Sequence, residues 1–233
     1  MAVRAVLSLV AAFLAVTITS VVLYLLFPEM LGPEGWKAAG MLVGVYTGGT
    51  PNLAAVGKAL DVNAVTLVSV QGADVIVGAV LLLFPVSLAP RLFGKVLPAF
   101  EDITGEESDV NGFSPYFTGW SGRELREMGA ALGLAAVIVA VGASFMLFLP
   151  EASALPAAVS IVHLVLSAIF RVDAHTHIVT ATSFIYSPPF VPVVAAAIGN
   201  PKVVLPGIVI GVTGWIGGNY LGPAIAYALR SLG

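Results

Sequence analysis

Long apolar stretches separated by short polar ones run along most of the chain. Seven of them cover residues 3–27, 36–60, 65–88, 128–149, 155–170, 178–199 and 203–229. Most have the roughly 20 residues that a helix needs to cross about 30 Å of hydrocarbon. One such helix could be buried in a soluble protein, but seven could not. The pattern therefore predicts an all-α, polytopic transmembrane bundle of about seven spans.

Two of these stretches are interrupted by residues that disfavour helix, at 47–52 and at 187–192. Glycine and proline break the helical hydrogen-bond ladder, so each stretch is expected to form a discontinuous helix with extended backbone at the break. Non-helical backbone survives at membrane depth only where protein buries it or where it lines a water-filled cavity. Many secondary transporters bind ions and substrates at such breaks. A plain proline kink, or a loop between two short segments at 187–189, is the alternative interpretation.

The breaks supply the first candidate ligands, which are hydroxyl, amide and backbone carbonyl oxygens suited to Na⁺ or to a polar solute. They are Thr47, Gly48, Gly49, Thr50, Asn52, Ser187 and Pro188.

Isolated polar side chains inside other apolar stretches supply the remaining candidates. Asp74 is a carboxylate within the third stretch, and such a group is typical of proton or cation relays. Gln71 lies on the same helix face, three residues earlier. In the last stretch Asn219 follows Trp215 by one turn, where a hydrogen bond between helices is more expected than a ligand role.

A polar segment at 91–127 separates two membrane halves, residues 1–90 with three spans and residues 128–233 with about four. If every stretch crosses once, the Lys and Arg residues divide seven against three between the two sides. The larger set predicts the cytoplasmic side, which would also hold the C-terminus and the 91–127 linker. The larger set is Lys37, Arg91, Lys95, Arg123, Arg126, Arg171 and Arg230; the smaller is Arg4, Lys58 and Lys202.

Composition supports this interpretation and excludes several functions. Hydrophobic residues make up 58% of the chain and charged residues 10%, against about 25% charged in soluble domains, and the mean hydropathy is +1.00. A net charge of -3 gives no basic surface for nucleic acid. The expected partners are the lipid bilayer, as an inner membrane of a prokaryotic cell, and a small ion or small polar solute. The absence of cysteine excludes a disulfide framework and thiolate metal sites.

The histidines and the glycine repeats offer less chemistry. His175 and His177 would point to opposite sides of a helix, and with His163 they form no ordinary zinc spacing, so a proton-sensitive switch or an interfacial polar cluster is expected rather than a metal site. No nucleophile motif surrounds Ser183 or Ser187, so no enzyme activity is predicted. Glycines repeated at four-residue intervals are expected to be faces for close helix packing. They are Gly40, Gly44 and Gly48, then Gly207 and Gly211, then Gly214, Gly218 and Gly222.

The segments 44–56, 72–74 and 206–222, with Gly48-Gly49-Thr50-Pro51-Asn52 and a closing glycine-rich run, resemble the YjcL-like family of uncharacterised multi-pass membrane proteins. That family is related to the cation:proton antiporter and bile-acid symporter superfamily. The resemblance implies two inverted repeats with crossing broken helices. The chain departs from it in being shorter, in having Ser187-Pro188-Pro189 at the second break, and in having three predicted spans between the breaks. Three spans would make the broken helices run in the same direction.

The leading hypothesis is a secondary transporter coupled to Na⁺ or H⁺, with no other cofactor. The alternative is a non-transporting scaffold or assembly subunit whose glycine faces serve association, including homo-oligomers.

Overall fold

The computed structural model describes residues 2–26, 34–81, 85, 89–101, 107–108 and 150–232. These residues are almost entirely helical, apart from one pair of two-residue antiparallel strands. In chain order the elements are α1 (Ala2–Leu26), α2 (Gly35–Gly48), α3 (Thr50–Ala59), α4 (Ala64–Leu81), α5 (Ala89–Phe93), β1 (Phe100–Glu101), β2 (Glu107–Ser108), α6 (Pro150–Ile169), α7 (Ala174–Ile185), α8 (Val191–Ala197) and α9 (Val204–Arg230). Short 3-10 turns, Pro188–Phe190 and Pro201–Val203, precede α8 and α9.

The first discontinuous helix reverses direction at its break. α2 ends at Gly48, and α3 then runs back along α2, so that a Cβ placed on Gly40 would lie 3.1 Å from Leu60 Cδ1. At the open end, Lys37 Nζ donates a hydrogen bond to the Asp61 carbonyl over 2.7 Å. The unit formed by α2 and α3, called hairpin 1, therefore enters and leaves at the same end of the molecule.

The second discontinuous helix is also a hairpin. α7 ends shortly before the break at Ser187, and α8 returns along it, with Val191 and Val194 buried in the same cluster as Ala174 and Ile178. Beyond α8, Asn200 Nδ2 lies 2.8 Å from His175 Nδ1, in the first turn of α7. The unit formed by α7 and α8, called hairpin 2, thus has both of its ends together as well.

The returning arms of the two hairpins end in the same local geometry. After hairpin 1 the Leu60 amide donates to the Val56 carbonyl and the next turn closes at Asp61, which has a φ of 49°. After hairpin 2 the Ile198 amide donates to the Val194 carbonyl and the turn closes at Gly199, with a φ of 67°. Leu60 and Ile198 follow their breaks by the same number of residues, so the hairpins are repeats of one motif.

Helix α9 shows that the two hairpins run in opposite directions. Along α2, Gly40 meets Gly222 and Thr47 meets Gly218, so α2 and α9 are antiparallel. Along α7, the contacts with α9 follow in the reverse order.

A Cβ on Gly207 would lie 3.2 Å from Val179 Cβ, and one on Gly214 would lie 3.0 Å from the Phe184 ring. These contacts make α7 parallel to α9, and α2 is therefore antiparallel to α7. Three intervening spans predicted that the two broken helices run in the same direction. That prediction is wrong, because it assumed that each discontinuous helix crosses the molecule once, whereas each one turns back.

The structure does not confirm the predicted seven-span bundle. Within the described residues, two helices are long and apolar enough to cross a bilayer, Val3–Leu26 and Pro201–Arg230. The stretches at 36–60 and 178–199 are hairpins, whose longer arms of 14 and 12 residues rise about 21 and 18 Å. Shorter apolar helices include Ala158–Ile169. The predicted span at 128–149 lies outside the described residues.

The sidedness deduced from Lys and Arg has to be corrected for the same reason. Because hairpin 1 returns, Lys58 lies at the same end as Lys37; because hairpin 2 returns, Lys202 lies at the same end as Arg171. The ends are named A, at the open end of hairpin 1, and B, at the open end of hairpin 2. The described side chains divide almost evenly, with Lys37, Lys58 and Arg230 at end A and Arg4, Lys95, Arg171 and Lys202 at end B.

The described part of the 91–127 linker packs against the open end of hairpin 2. Phe93 and Phe100 are buried with its open end, and the Ala174 amide donates to the Pro98 carbonyl over 3.0 Å. This part of the linker lies at end B, whereas α9 ends at Arg230 at end A. The described residues therefore contradict the prediction that the linker and the C-terminus lie on the same side.

Candidate functional site

The tips of the two hairpins meet at the middle of the molecule. The carbonyl oxygen of Gly48 accepts a hydrogen bond from Ser187 Oγ over 3.1 Å. The same oxygen accepts a second hydrogen bond from the indole Nε1 of Trp215 on α9. One carbonyl at the end of α2 therefore joins both tips to the long helix.

Both breaks have unusual backbone conformations. Gly49 has φ 81° and ψ -167°, and Ser187 has φ 112° and ψ 155°. This region of backbone space is essentially restricted to glycine, and another residue there costs about 1–3 kcal/mol. A Cβ on Gly49 would also overlap Ser187 Oγ. The strained residue and the obligatory glycine thus face each other, and strain of this kind concentrates at functional sites.

Helix α9 reaches both tips through its glycines. A Cβ on Gly214 would overlap the Thr47 carbonyl oxygen, and one on Gly218 would overlap Thr47 Oγ1. Thr47 Oγ1 donates along its own helix, 2.8 Å from the Val43 carbonyl. Asn52 is 1% exposed, and its Nδ2 donates to the Gly214 carbonyl over 3.3 Å. Thr47 and Asn52 are therefore buried parts of the junction between hairpin 1 and α9.

Asp74 lies beside the tips on helix α4. Its carboxylate is half-buried and interacts electrostatically with Tyr46, near the tip of hairpin 1, and with Tyr186, at the tip of hairpin 2. α4 starts at end A, next to the open end of hairpin 1, and ten residues of helix from Ala64 to Asp74 rise about 15 Å. The ten residues of α3 rise by the same amount, which puts Asp74 at the depth of the break.

The other predicted site residues have different positions. Thr50 is exposed at the tip of hairpin 1, whereas Pro188 is buried at the tip of hairpin 2. Gln71 is half-buried on α4, one turn before Asp74. Asn219 is exposed on α9 and does not join the buried junction. The structure therefore brings together candidates from both breaks and places Asp74 next to them.

Three aromatic side chains in the site were not predicted as site residues. The sequence pattern marks Trp215 only as a neighbour of Asn219, and Tyr46 and Tyr186 are not among its candidates. The available signal was their position, since Tyr46 and Tyr186 lie just before the two breaks. Aromatic residues are common in apolar helices, so this signal has meaning only when the tips are known to touch.

The histidines form a separate buried cluster near end B. His177 Nδ1 lies 2.9 Å from Ser167 Oγ, and the rings of His163 and His177 are 4.3 Å apart. His175 faces elsewhere, stacked on Phe100 at 5.6 Å. Within the described residues no group of three or more His, Cys, Asp or Glu side chains is placed to hold a metal ion.

These features define a class of helical protein, in which two inverted helix–break–helix hairpins meet at their tips beside a carboxylate. The chain belongs to the family described as "Protein of unknown function (DUF819)", whose model matches residues 2–158. The match covers α1, hairpin 1, α4 and the first part of α6, and it ends before hairpin 2. Comparisons with curated proteins and with solved structures found no match.

Proposed function

We propose that this protein is a secondary transporter of a cell membrane that couples movement of a small ion or a small polar solute to Na⁺ or H⁺. The observation that carries the proposal is the meeting of two inverted hairpins at Gly48 and Ser187, beside Asp74. Discontinuous helices that expose half-helix ends at mid-depth are the usual means by which secondary transporters bind ions and substrates.

The outward faces of the long helices support a bilayer environment. Large apolar side chains are exposed along most of α1 and again along α9, and a soluble monomer rarely exposes continuous apolar patches of this size. They include Val3, Val6, Val10, Leu14, Ile18 and Val22 on α1, and Leu205, Val209, Val212 and Ile216 on α9.

End A also carries the aromatic and basic side chains that are typical of a membrane–water interface. The Trp36 ring lies 5.8 Å from the Tyr227 ring, and the Arg230 guanidinium lies 5.1 Å from the Trp36 ring centroid.

The charge distribution favours a cation as the bound species. The described Lys and Arg side chains lie at the two ends, whereas the centre holds the Asp74 carboxylate and the C-terminal carbonyl ends of α2 and α7. Helix C-termini and carboxylates attract positive charge. An anion at this depth would be repelled by the Asp74 carboxylate. Among the described residues, no Lys or Arg side chain lies at this depth to bind it.

The weak contact between the tips suggests how the site could open to either end. A single neutral hydrogen bond contributes about 0.5–1.5 kcal/mol, and the Gly48 carbonyl would keep its hydrogen bond from Trp215 when the Ser187 hydroxyl moves away. Each hairpin has both of its ends at one side, and movement of hairpin 1 would open the site towards end A while movement of hairpin 2 would open it towards end B. This is the geometry that alternating access needs.

The alternative, a scaffold that associates through glycine faces, is less well supported. Within the described part of the chain, the α9 glycines pack inside the molecule, where Gly207 meets Val179, Gly218 meets Thr47 and Gly222 meets Gly40. These faces are therefore already occupied and are not available for another subunit. Membership of the YjcL-like family and of the antiporter superfamily would fit the transporter hypothesis, as the resemblance implies.

The proposal is tested by proteoliposomes that contain a pH-sensitive dye and receive a Na⁺ or K⁺ gradient. Wild type should show cation-dependent proton movement, Asp74→Asn should abolish it, and Asn52→Ala should reduce it. Asn219→Ala is the matched control, since its side chain is exposed away from the tips. Equal, cation-independent behaviour of wild type, Asp74→Asn and Asn52→Ala would overturn the transport mechanism.

A further inference from the structure

The open end of hairpin 2 is closed by a side-chain hydrogen bond whose donor the geometry identifies. Asn200 Oδ1 accepts a hydrogen bond from the Lys202 amide over 3.1 Å, so the side chain of Asn200 has to present its Nδ2 to His175. A side-chain NH₂ group donates hydrogen bonds and does not accept them. His175 Nδ1, 2.8 Å from this Nδ2, is therefore the acceptor, and the proton of the neutral imidazole is on Nε2.

This hydrogen bond can form only while His175 is neutral. A protonated imidazole carries hydrogen on both ring nitrogens, so its Nδ1 would point a donor at a group that also only donates. Rotation of the Asn200 amide by half a turn would place Oδ1 against the ring, but it would break the bond with the Lys202 amide. Protonation of His175 and closure of this end therefore exclude each other.

The surroundings of the bond make its loss consequential. Both His175 and Asn200 are buried, and within the described residues His175 Nε2 has no hydrogen-bond partner. The ring also stacks on Phe100 in β1, with 5.6 Å between the centroids. A buried Asn200 amide without an acceptor is unfavourable, so protonation of His175 would favour separation of the turn after α8 from the start of α7.

Charged groups near His175 act on its protonation in both directions. Asp173 is buried two residues earlier, where its Oδ1 accepts from the Thr176 amide over 2.8 Å, and its negative charge favours a protonated imidazole. The first turn of α7 opposes protonation, because helix N-termini disfavour positive charge. His177 points to the other side of α7, where its Nδ1 pairs with Ser167 Oγ. The other charged side chains described at this end are all basic, namely Arg4, Lys95, Arg171 and Lys202.

We propose that His175 is a proton-binding site that controls hairpin 2. The neutral ring holds the turn at Asn200 against the start of α7, and the protonated ring releases it. Histidine changes its charge within the physiological pH range, so acid at end B is the signal. If hairpin 2 moves during transport, acid at end B favours that movement; this consequence, unlike the site itself, rests on the proposed transport function.

The test is hydrogen exchange of the full-length protein in detergent at about pH 5.5 and about pH 7.5, on either side of an ordinary histidine pKa. Each rate is divided by the rate of an unstructured peptide at the same pH. In wild type, peptides covering residues 198–203 should exchange about twofold to tenfold faster at the lower pH, the effect of one lost hydrogen bond. The turn at 60–62, which closes hairpin 1, is the internal control and should not respond.

Three variants assign the response to His175. His175→Asn places an acceptor, its Oδ1, where Nδ1 was and cannot be protonated, so the pH response should disappear. Asn200→Asp presents an acceptor to the protonated ring, so the response should reverse, with slower exchange at the lower pH. His177→Asn is the matched control, because it removes a buried histidine of the same helix, and it should keep the wild-type response.

A wild-type rate that does not depend on pH would overturn the proton site. So would a response that persists in His175→Asn, that keeps its sign in Asn200→Asp, or that is lost in His177→Asn. Melting temperatures show whether the variants are folded, and the sign in Asn200→Asp decides if His175→Asn is not. Cation-driven proton movement without this exchange response would reject the proton site alone. The exchange response without cation-driven movement would reject the transport proposal alone.

Discussion

The side chain of Ser187 occupies the space beside Gly49, so the tip of one hairpin fills the position where a side chain on the other would be. These two residues come from opposite halves of the chain and from hairpins of opposite direction. Both have positive φ values, 81° at Gly49 and 112° at Ser187.

Replacement of Gly49 by alanine should be strongly destabilising. The φ and ψ of Gly49 are unfavourable for any other residue, and its Cβ would overlap Ser187 Oγ. We expect a loss of about 2 kcal/mol or more, seen as a fall in Tm of roughly 4 to 8 °C in detergent. Gly72→Ala is the matched control, since its Cβ meets nothing within 4 Å, and it should leave the Tm unchanged or slightly higher. Equal Tm values for the two variants would contradict the tip contact.

Substitutions of Ser187 should separate backbone strain from the hydrogen bond. Ser187→Ala removes the bond to Gly48 and keeps the strained backbone, whereas Ser187→Gly removes both. The glycine variant should therefore be more stable than the alanine variant by about 1–3 kcal/mol, as measured by thermal unfolding. A more stable alanine variant would show that residue 187 is not strained.

The contact between α9 and hairpin 1 predicts opposite results at two adjacent residues. Gly218→Ala places a Cβ against Thr47 Oγ1 and should lower both the Tm and transport, because α9 has to move away from the tip. Asn219→Ala changes an exposed side chain and should affect neither. A loss of transport in Asn219→Ala with unchanged Tm would show that this residue has a role the structure does not give it.

The open end of hairpin 1 should be sensitive to acid through Glu34. Its carboxylate accepts hydrogen bonds from Lys37 Nζ over 2.6 Å and from Thr66 Oγ1 over 3.2 Å, as well as from Asn63. The hydrogen bond from Lys37 is the main cause that lowers the pKa of Glu34 below its ordinary value of 4.5. A carboxyl with a lowered folded-state pKa stabilises the fold above the unfolded value, and this contribution is lost as the pH falls through the folded value.

The check is the Tm of wild type and Glu34→Gln between pH 3.5 and 7. Wild type should be more stable than the variant above about pH 5, and the difference should shrink below pH 4.5. A difference that does not depend on pH would show that the Glu34 charge has no part in closing the hairpin.

The sequence indicated where the helices break but not what the chain does there. Gly48, Gly49 and Pro51 identify an interruption from local chemistry alone, and α2 and α3 are separated at that point. Reversal of the chain depends on tertiary contacts, such as Leu60 against Gly40 and Asn200 with His175. An apolar pattern cannot distinguish a broken helix that crosses once from a hairpin of the same length. The predicted number of spans and the predicted division of Lys and Arg between two sides both assumed single crossings, and both differ from the structure for this reason.

The sequence also predicted part of the candidate site, namely the residues that stand out locally. Break residues and Asp74 stand out because polar groups and glycine–proline runs are costly in apolar helices. The roles of Tyr46, Tyr186 and Trp215 come from the meeting of segments far apart in sequence. For Asn219 the sequence favoured a hydrogen bond between helices over a ligand role, yet the rotation of α9 leaves Asn219 exposed, whereas Asn52 is buried.

The two hairpins open towards opposite ends of the molecule, so in the proposed membrane arrangement they would enter the bilayer from opposite sides. Single-cysteine labelling can measure this, because the chain contains no cysteine. Cysteines would replace the exposed residues Lys58, Arg171, Lys202 and Arg230, one at a time, and a membrane-impermeant maleimide would be added to intact and to opened cells. We expect positions 58 and 230 to be labelled from one side and positions 171 and 202 from the other. Labelling of 58 together with 202, and of 171 together with 230, would contradict the hairpins and restore the seven-crossing arrangement.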